Sequence, residues 1–445
     1  KSCVQITNLA VDKNFRSYMD TNSTTIHRFK MQINKYSGIL SKGLKKNMQK
    51  FVKEMLYGIQ ASKDVKLSNI SRSLQEDIPL IKTEDRLSRN LEREDLTEHI
   101  NNEIIRLGKN KIDKDMVISI DPGDIMKPYA KSMEKLCSIY DGSQQKPANG
   151  YYLCQVTAAN LQHNKLVPIY NEAFSSEEEG YLDKTEKVKG IISKVVKSIG
   201  TLGTWTMDRE ADDIGMLSHF EKENLDFVIR LKLSRYLHFN YNTNRQVQAD
   251  HIDRFVKLRY STQIVKLEDG KIKTYTLKYN AITVALPEAP NKWYSLVIIT
   301  GFGIHPMLLL TNKLINFNSQ KELFSIIEIY LTRWKCEECY RYIKQSYNLE
   351  DIRVRGYNAI RNIVAFINAI AYFSSVYMGM SLKLKLMVKK IYICAKRFFG
   401  IPVFYNYAIA DGIFELLKKT RCGIINFKGK LGKGIDDFQL SLFPV

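Results

Sequence analysis

Three stretches carry carboxylates in settings suited to catalysis: Met116-Val-Ile-Ser-Ile-Asp121, Thr204-Trp-Thr-Met-Asp-Arg-Glu-Ala-Asp-Asp213, and Tyr330-Leu-Thr-Arg-Trp-Lys-Cys-Glu-Glu-Cys-Tyr-Arg-Tyr-Ile-Lys344. In the first two, an acidic residue stands where a short apolar, strand-like run stops. The third reads as helix, and at about 100° per residue Arg333, Glu337 and Lys344 fall within roughly 60° of Tyr330. A phenol, a guanidinium, a carboxylate and an ammonium then share one stripe, as expected of a metal ligand flanked by phosphate-binding groups. Mg2+ and Mn2+ are hard cations that prefer oxygen ligands, so two or three carboxylates and a substrate phosphate complete a site. Two such ions about 3.5–4 Å apart support in-line displacement at phosphorus.

Each carboxylate has a competitor. Asp121 directly follows Val117-Ile-Ser-Ile120 and is preferred for that reason, but the run Asp-Pro-Gly-Asp keeps Asp124 in play. Asp208 follows Trp205-Thr-Met207 in the same way. Glu210, Asp212 and Asp213 fall in the turn and helix start beyond it, where acidic side chains complement a helix N-terminus. Glu337 keeps the stripe with Tyr330 and Lys344, whereas Glu338 is rotated away by about 100°. Taken alone, residues 330–344 read equally well as a solvated helix face with ordinary ion pairs. The two strand-end aspartates that precede them favour a site.

At these residues the chain resembles the DDE transposases of bacterial insertion sequences, specifically the IS-four group. The Asp-Arg-Glu-Ala-Asp run at 208–212 and the Tyr-x2-Arg-x3-Glu-x6-Lys run at 330–344 look like that family's two signatures. The resemblance extends over most of the chain. It implies a catalytic, metal-binding triad of Asp121, Asp208 and Glu337 with two Mg2+ (or Mn2+) ions. It also implies that Tyr330, Arg333 and Lys344 contact transposon-end phosphates. The implied activity is cut-and-paste DNA transposition: cleavage at the inverted-repeat ends, then strand transfer into target DNA, with a homodimer in the paired-end complex. Related enzymes often have Thr after the first Asp, where this chain has Pro122.

The elements that must position these residues follow from periodicity. Residues 1–112 read as helical, with Phe51, Val52, Met55, Leu56 and Ile59 at helical spacing. Segments 67–74 and 83–91 form a helix pair that Ser68 and Thr83 would cap. As a helix-turn-helix the pair would turn Arg86 and Arg89 toward DNA; a plain helical hairpin fits about as well. From residue 116 the period becomes strand-like. Strands at 116–121, 150–157 and 166–170 are followed by a helix at 184–199, a strand at 204–207, a helix at 214–222 and a strand at 226–232. That order predicts an α/β fold with a ribonuclease-H-like mixed-sheet core, in which the first and fourth strands bring Asp121 beside Asp208. Arg230, near the end of the last strand, is either a further phosphate contact or a rim ion pair.

Residues 233–312 interrupt this order with strand segments at 256–260, 262–267, 271–279, 281–286 and 293–300. The resemblance implies that this β-rich insertion packs beside the active site and contacts DNA. One helix over 320–345 then carries Glu337. Three regions are expected: a helical, basic, DNA-binding part at 1–112, the catalytic core at 113–345, and a helical, basic part at 346–445 with a role in dimerisation.

The net charge of +20 points to a polyanionic partner, most simply double-stranded DNA. The surplus sits in residues 1–60 and 383–430, which hold eleven Lys/Arg each against three and two Asp/Glu. The two basic regions are expected to flank DNA rather than pack on each other. The apolar stretch 363–380 approaches membrane-span length. Its Asn368 and Ser374-Ser375 argue for a buried core helix, so no membrane partner is expected. Seven cysteines without a regular framework suit a reducing compartment, so a cytoplasmic, nucleoid-associated protein is expected. The lone Cys336-x-x-Cys339 lacks the second ligand pair of a zinc site. The polar start shows no signal peptide, and a first residue other than Met suits a fragment or trimmed chain. Two rival readings are a ribonuclease-H-like nuclease or resolvase without strand transfer, and a non-catalytic, transposase-derived DNA-binding protein. The Tyr-Arg-Glu-Lys stripe and the insertion count against the first, and the complete triad against the second.

Overall fold

The computed structural model describes residues 11–141, 145–162, 165–239, 242–268, 271–379, 381–383, 385–386, 406–418, 420, 423–425 and 427. Five helices come first: α1 (Val11–Leu40), α2 (Lys46–Ser62), α3 (Leu67–Leu74), α4 (Leu80–Arg93) and α5 (Thr97–Gly108). Next come β1 (Val117–Met126), β2 (Cys137–Asp141), β3 (Lys146–Ala159), β4 (Leu166–Phe174), α6 (Lys184–Ile199), β5 (Thr204–Met207), α7 (Ile214–Lys222) and β6 (Asp226–Arg230). Residues 117–120 are buried without alternation, as suits a central strand covered on both faces. β1 pairs antiparallel with β3 and parallel with β5, and β5 pairs parallel with β6. With β4 on β3, the order β4-β3-β1-β5-β6 is the ribonuclease-H-like arrangement that the pattern predicts.

The insertion does not form a separate layer. It comprises β7 (Tyr236–Phe239), β8 (Asn242–Gln248), β9 (Tyr260–Glu268), β10 (Lys271–Leu286) and β11 (Ala289–Thr300), and the chain returns through β12 (Met307–Thr311). β12 pairs with β6, so the insertion continues the core into a twelve-stranded sheet. The two segments expected at 271–279 and 281–286 are one strand. Asn280 between them does not break it, because its amide donates to the Lys257 carbonyl at 2.8 Å. The strand expected at 256–260 is absent: a 3-10 turn, Ala249–Phe255, precedes it and pairing begins only at Tyr260.

The helix expected over 320–345 is two helices, α8 (Gln320–Thr332) and α9 (Trp334–Ser346). Ser319 caps α8 by accepting from the Glu322 amide at 3.3 Å. The break follows from a local change of hydrogen-bond period. The Arg333 amide donates to Tyr330 O, and the Cys336 amide to Arg333 O, three residues back rather than four. Tyr330 therefore lies on a different helix from Glu337 and Lys344.

Helix α10 (Tyr357–Tyr372) is the pillar of the helical layer and contains most of the apolar stretch noted above. The helical run Tyr357–Tyr377 is long and apolar enough to cross a membrane, but is largely buried within the protein. Asn362 donates to Leu91 O and Glu94 O, both at 2.8 Å, and Tyr36 donates to Ala369 O at 2.9 Å. The last described helix, α11 (Asn406–Leu417), packs on α2, and Lys63 pairs with Asp411. Lys30 reaches Gly423 O at 3.1 Å. Where they are described, then, the two ends of the chain pack on each other, contrary to the charge-based expectation, because apolar helix faces outweigh a diffuse like charge. Most of the basic segment 383–430 lies outside the described residues.

Candidate active site

The site is built on the register of three parallel strands. Ser119 pairs with Thr206, and Thr206 with Val228. Side chains alternate along a strand, so Asp121 shares the face of Ser119 and Arg230 that of Val228, with Asp208 one residue past the end of β5. The Ser119 and Thr206 hydroxyls meet there at 2.9 Å and fix the spacing. Asp208 is also anchored from its own turn, accepting from the Glu210 amide at 2.9 Å. The other acidic residues of this motif have partners of their own. Glu210 pairs with Lys184 at 2.7 Å, Asp213 caps α7, and buried Asp212 accepts from the Lys232 amide at 2.7 Å.

Helices α8 and α9 cover that face. Arg333, at their junction, contacts Glu337 Oε1 at 2.5 Å and Asp121 Oδ1 at 3.7 Å. One guanidinium thus spans carboxylates from β1 and α9. Burial pushes the Asp121 carboxyl up to about 7; Arg333 opposes the shift, while the negative charges of Glu337, Asp208 and Glu210 reinforce it. Asp124 faces Lys344 at 3.6 Å, and Lys344 also pairs with Glu350 at 2.8 Å. Burial opposes the Arg333 charge, but Tyr330, Glu337 and Asp121 together keep it firmly protonated.

The remaining sequence candidates divide by environment. Tyr330 is buried, with Arg333 stacked 5.4 Å from its ring centroid. Arg230 is half-buried with no ion-pair partner among the described residues. Arg86 faces inward: it holds both oxygens of the buried Glu54 at 2.8 Å and Glu76 at 2.5 Å. Arg89 is exposed and donates to the Asp85 carbonyl of its own helix at 3.2 Å. Ser68 and Thr83 make no cap bonds, since their helices begin at Leu67 and Leu80. Cys336 and Cys339 are buried packing residues, and burial raises both thiols. No spacing rule singles out Tyr340, yet its hydroxyl bonds both backbone groups of Asp124.

Asp121, Asp208 and Glu337 offer only carboxylate oxygens, the donor set that hard divalent cations prefer. Among the described residues, no three His, Cys, Asp or Glu side chains are grouped closely enough to hold a metal ion. Within the site, Arg333 lies between Asp121 and Glu337. Its Nε is buried without a hydrogen-bond partner among the described residues, and its reach to Asp121 exceeds hydrogen-bond length. The guanidinium is therefore an imperfect counterion for these carboxylates.

A search of curated proteins finds no match. Among solved structures, the cryo-EM structure of the piggyBac transposase synaptic complex with hairpin DNA is similar to this chain with a TM-score of 0.39 and 11% identity, covering 88% of this chain and 78% of that one. Residues 184–374, from α6 through α10, match the family model described as the transposase DDE domain. Over those residues the chain is similar to a transposase DDE domain.

Proposed function

We propose that this protein is a cut-and-paste DNA transposase that cleaves DNA at the ends of its element and joins the freed ends to target DNA. The observation that supports this reading is that Arg333 pairs with Glu337 of α9 and reaches toward Asp121 of β1, while the charge of Asp208 bears on the Asp121 carboxyl. Asp121, Asp208 and Glu337 would hold the divalent cations, two by the logic of an in-line displacement. When bound, these ions would supply Lewis-acid stabilisation of the attacking and leaving oxygens. Arg333 would exchange its carboxylate partners for a phosphate of the DNA, and Lys344 and Arg230 would hold phosphates on either side. Their contribution is positioning and charge neutralisation rather than covalent chemistry. Tyr330, packed under Arg333, would set the guanidinium's orientation. Arg89 on α4 would contact the DNA backbone further out.

Each chain carries one such set of carboxylates, and two ends must be cut, so two copies of the chain would assemble on paired ends. The test is incubation of the protein with the element's terminal DNA and Mg2+, followed by mapping of products. Hydrolysis at the ends and joined strand-transfer products are expected. Nicking without joining would leave only a nuclease. Asp121→Ala, Asp208→Ala and Glu337→Ala should each abolish cleavage and leave end binding largely intact.

A further inference from the structure

The helix that carries Glu337 must keep a fixed distance from the strand that carries Asp121, and the sheet alone does not provide this. β5 pairs with β1 only over Val117–Ser119, because β5 ends at Met207. Beyond Ser119, β1 keeps its partner β3 on one edge, with Asp124 opposite Tyr152, while the other edge has no strand beside it among the described residues. Backbone groups on such an edge need partners. At Asp124 both are taken by one side chain: the Tyr340 hydroxyl accepts from the Asp124 amide at 3.0 Å and donates to its carbonyl at 2.6 Å. The phenol stands where the next strand would have been.

This approach requires Gly123. A Cβ at that position would lie 2.6 Å from the Tyr340 hydroxyl oxygen and 2.8 Å from the ring carbon bearing it. The Pro122-Gly123 step between the two aspartates, which the reaction itself does not explain, thus lets the tyrosine reach the backbone. Lys344 closes the clasp, its ammonium 5.0 Å from the Tyr340 ring centroid and 3.6 Å from Asp124 Oδ1. At the other end of the contact, Cys336 Sγ lies 3.7 Å from Ser119 O. Helix α9 therefore touches β1 on both sides of Asp121: at Ser119 through Cys336, and at Asp124 through Tyr340. Glu337 lies between those two contacts in sequence, one turn before Tyr340.

We propose that Tyr340 is a positioning residue of the active site: by completing the open edge of β1 at Asp124, it sets Glu337 opposite Asp121 for joint cation binding. The inference rests on the metal-dependent reading above. Groups that orient metal ligands are worth about 10–100-fold in metal affinity or activity.

The test uses the full chain and Tyr340→Phe, which keeps the ring and removes only the hydroxyl. Mn2+ binding is followed without DNA through the resonance of the free ion, and end cleavage is measured separately. Weakening of Mn2+ binding by about tenfold or more is expected. It should be accompanied by a matching fall in kcat, with KM for end DNA changed less than about twofold. Gly123→Ala should reproduce the defect by displacing the phenol. The double variant should be little worse than Gly123→Ala alone, because both changes break one contact. Unchanged Mn2+ binding in Tyr340→Phe would overturn the inference, as would a lowered melting temperature with normal metal binding and kcat. Asp121→Ala separates the two levels. If it leaves Mn2+ binding intact, the metal reading itself fails. If it abolishes binding while Tyr340→Phe does not weaken it, only the positioning role fails.

Discussion

Asp121 gives the sharpest physical test, because a carboxylate suited to a cation is a liability without one. Its side chain is 20% exposed and faces Glu337 and Asp208, and its pKa rises from 3.8 to about 7 in the folded chain. The folded state therefore holds the Asp121 proton more tightly than the unfolded state. This contribution to stability is complete below about pH 4, declines as the pH rises toward 7, and is lost above it. Its full size is up to about 4 kcal/mol, and partial solvent access reduces it to about 2–4 kcal/mol. Asp121→Asn is a neutral isostere that never acquires the charge, and Arg333 keeps Glu337 as its partner. Denaturant unfolding with chelator present should show the variant and the wild type equally stable near pH 4. By pH 8 the variant should be the more stable by about 2–4 kcal/mol. Added Mn2+ should stabilise the wild type and not the variant. Equal stability at pH 8, or a wild type that gains on the variant as the pH rises, would refute the account of the site as concentrated negative charge.

Replacing Arg333 with Ala removes the cation between two carboxylates. Mn2+ should then bind more tightly in the absence of DNA, while the salt dependence of end binding falls by about one in log–log slope. An unchanged slope would make Arg333 a structural ion pair only. Arg86→Ala should cost about 3–5 kcal/mol in denaturant unfolding, because it leaves the buried Glu54 charge without its main partner. Arg89→Ala should leave the melting temperature unchanged and weaken DNA binding in a salt-titrated gel-shift assay.

What the sequence disclosed depends on where each signal is written. Val117–Ile120 and Trp205–Met207 are apolar runs each followed by an aspartate, and the adjacency of β1 and β5 follows from strand order alone. The acidic and basic residues of 330–344 were legible as a stripe, but the break at Arg333 was not. It arises from two backbone bonds that reach back three residues, which no side-chain period records. β8, Asn-Thr-Asn-Arg-Gln-Val-Gln, escaped because it has a single apolar residue, and its pairing with β7 supplies the rest. Arg86 resembled a surface contact because Glu54, its partner, lies 32 residues earlier on another helix. Tyr340 was hidden for a similar reason: its role depends on where β5 stops, 133 residues away in sequence.

The central place of α10 has a consequence in time. It bonds to Tyr36, Leu91 and Leu96, which precede it by 266 to 333 residues. A ribosome making this chain releases α1–α5 long before the helix that covers their apolar faces has been synthesised. The N-terminal helices must then wait, half-finished, while the whole sheet is made. Such late closure favours folding after synthesis and leaves the nascent chain dependent on chaperones or prone to aggregation. It also means that removing residues 1–112 would not free a detachable DNA-binding module. It would strip the cover from α10, and the sheet would lose the helical layer beside it.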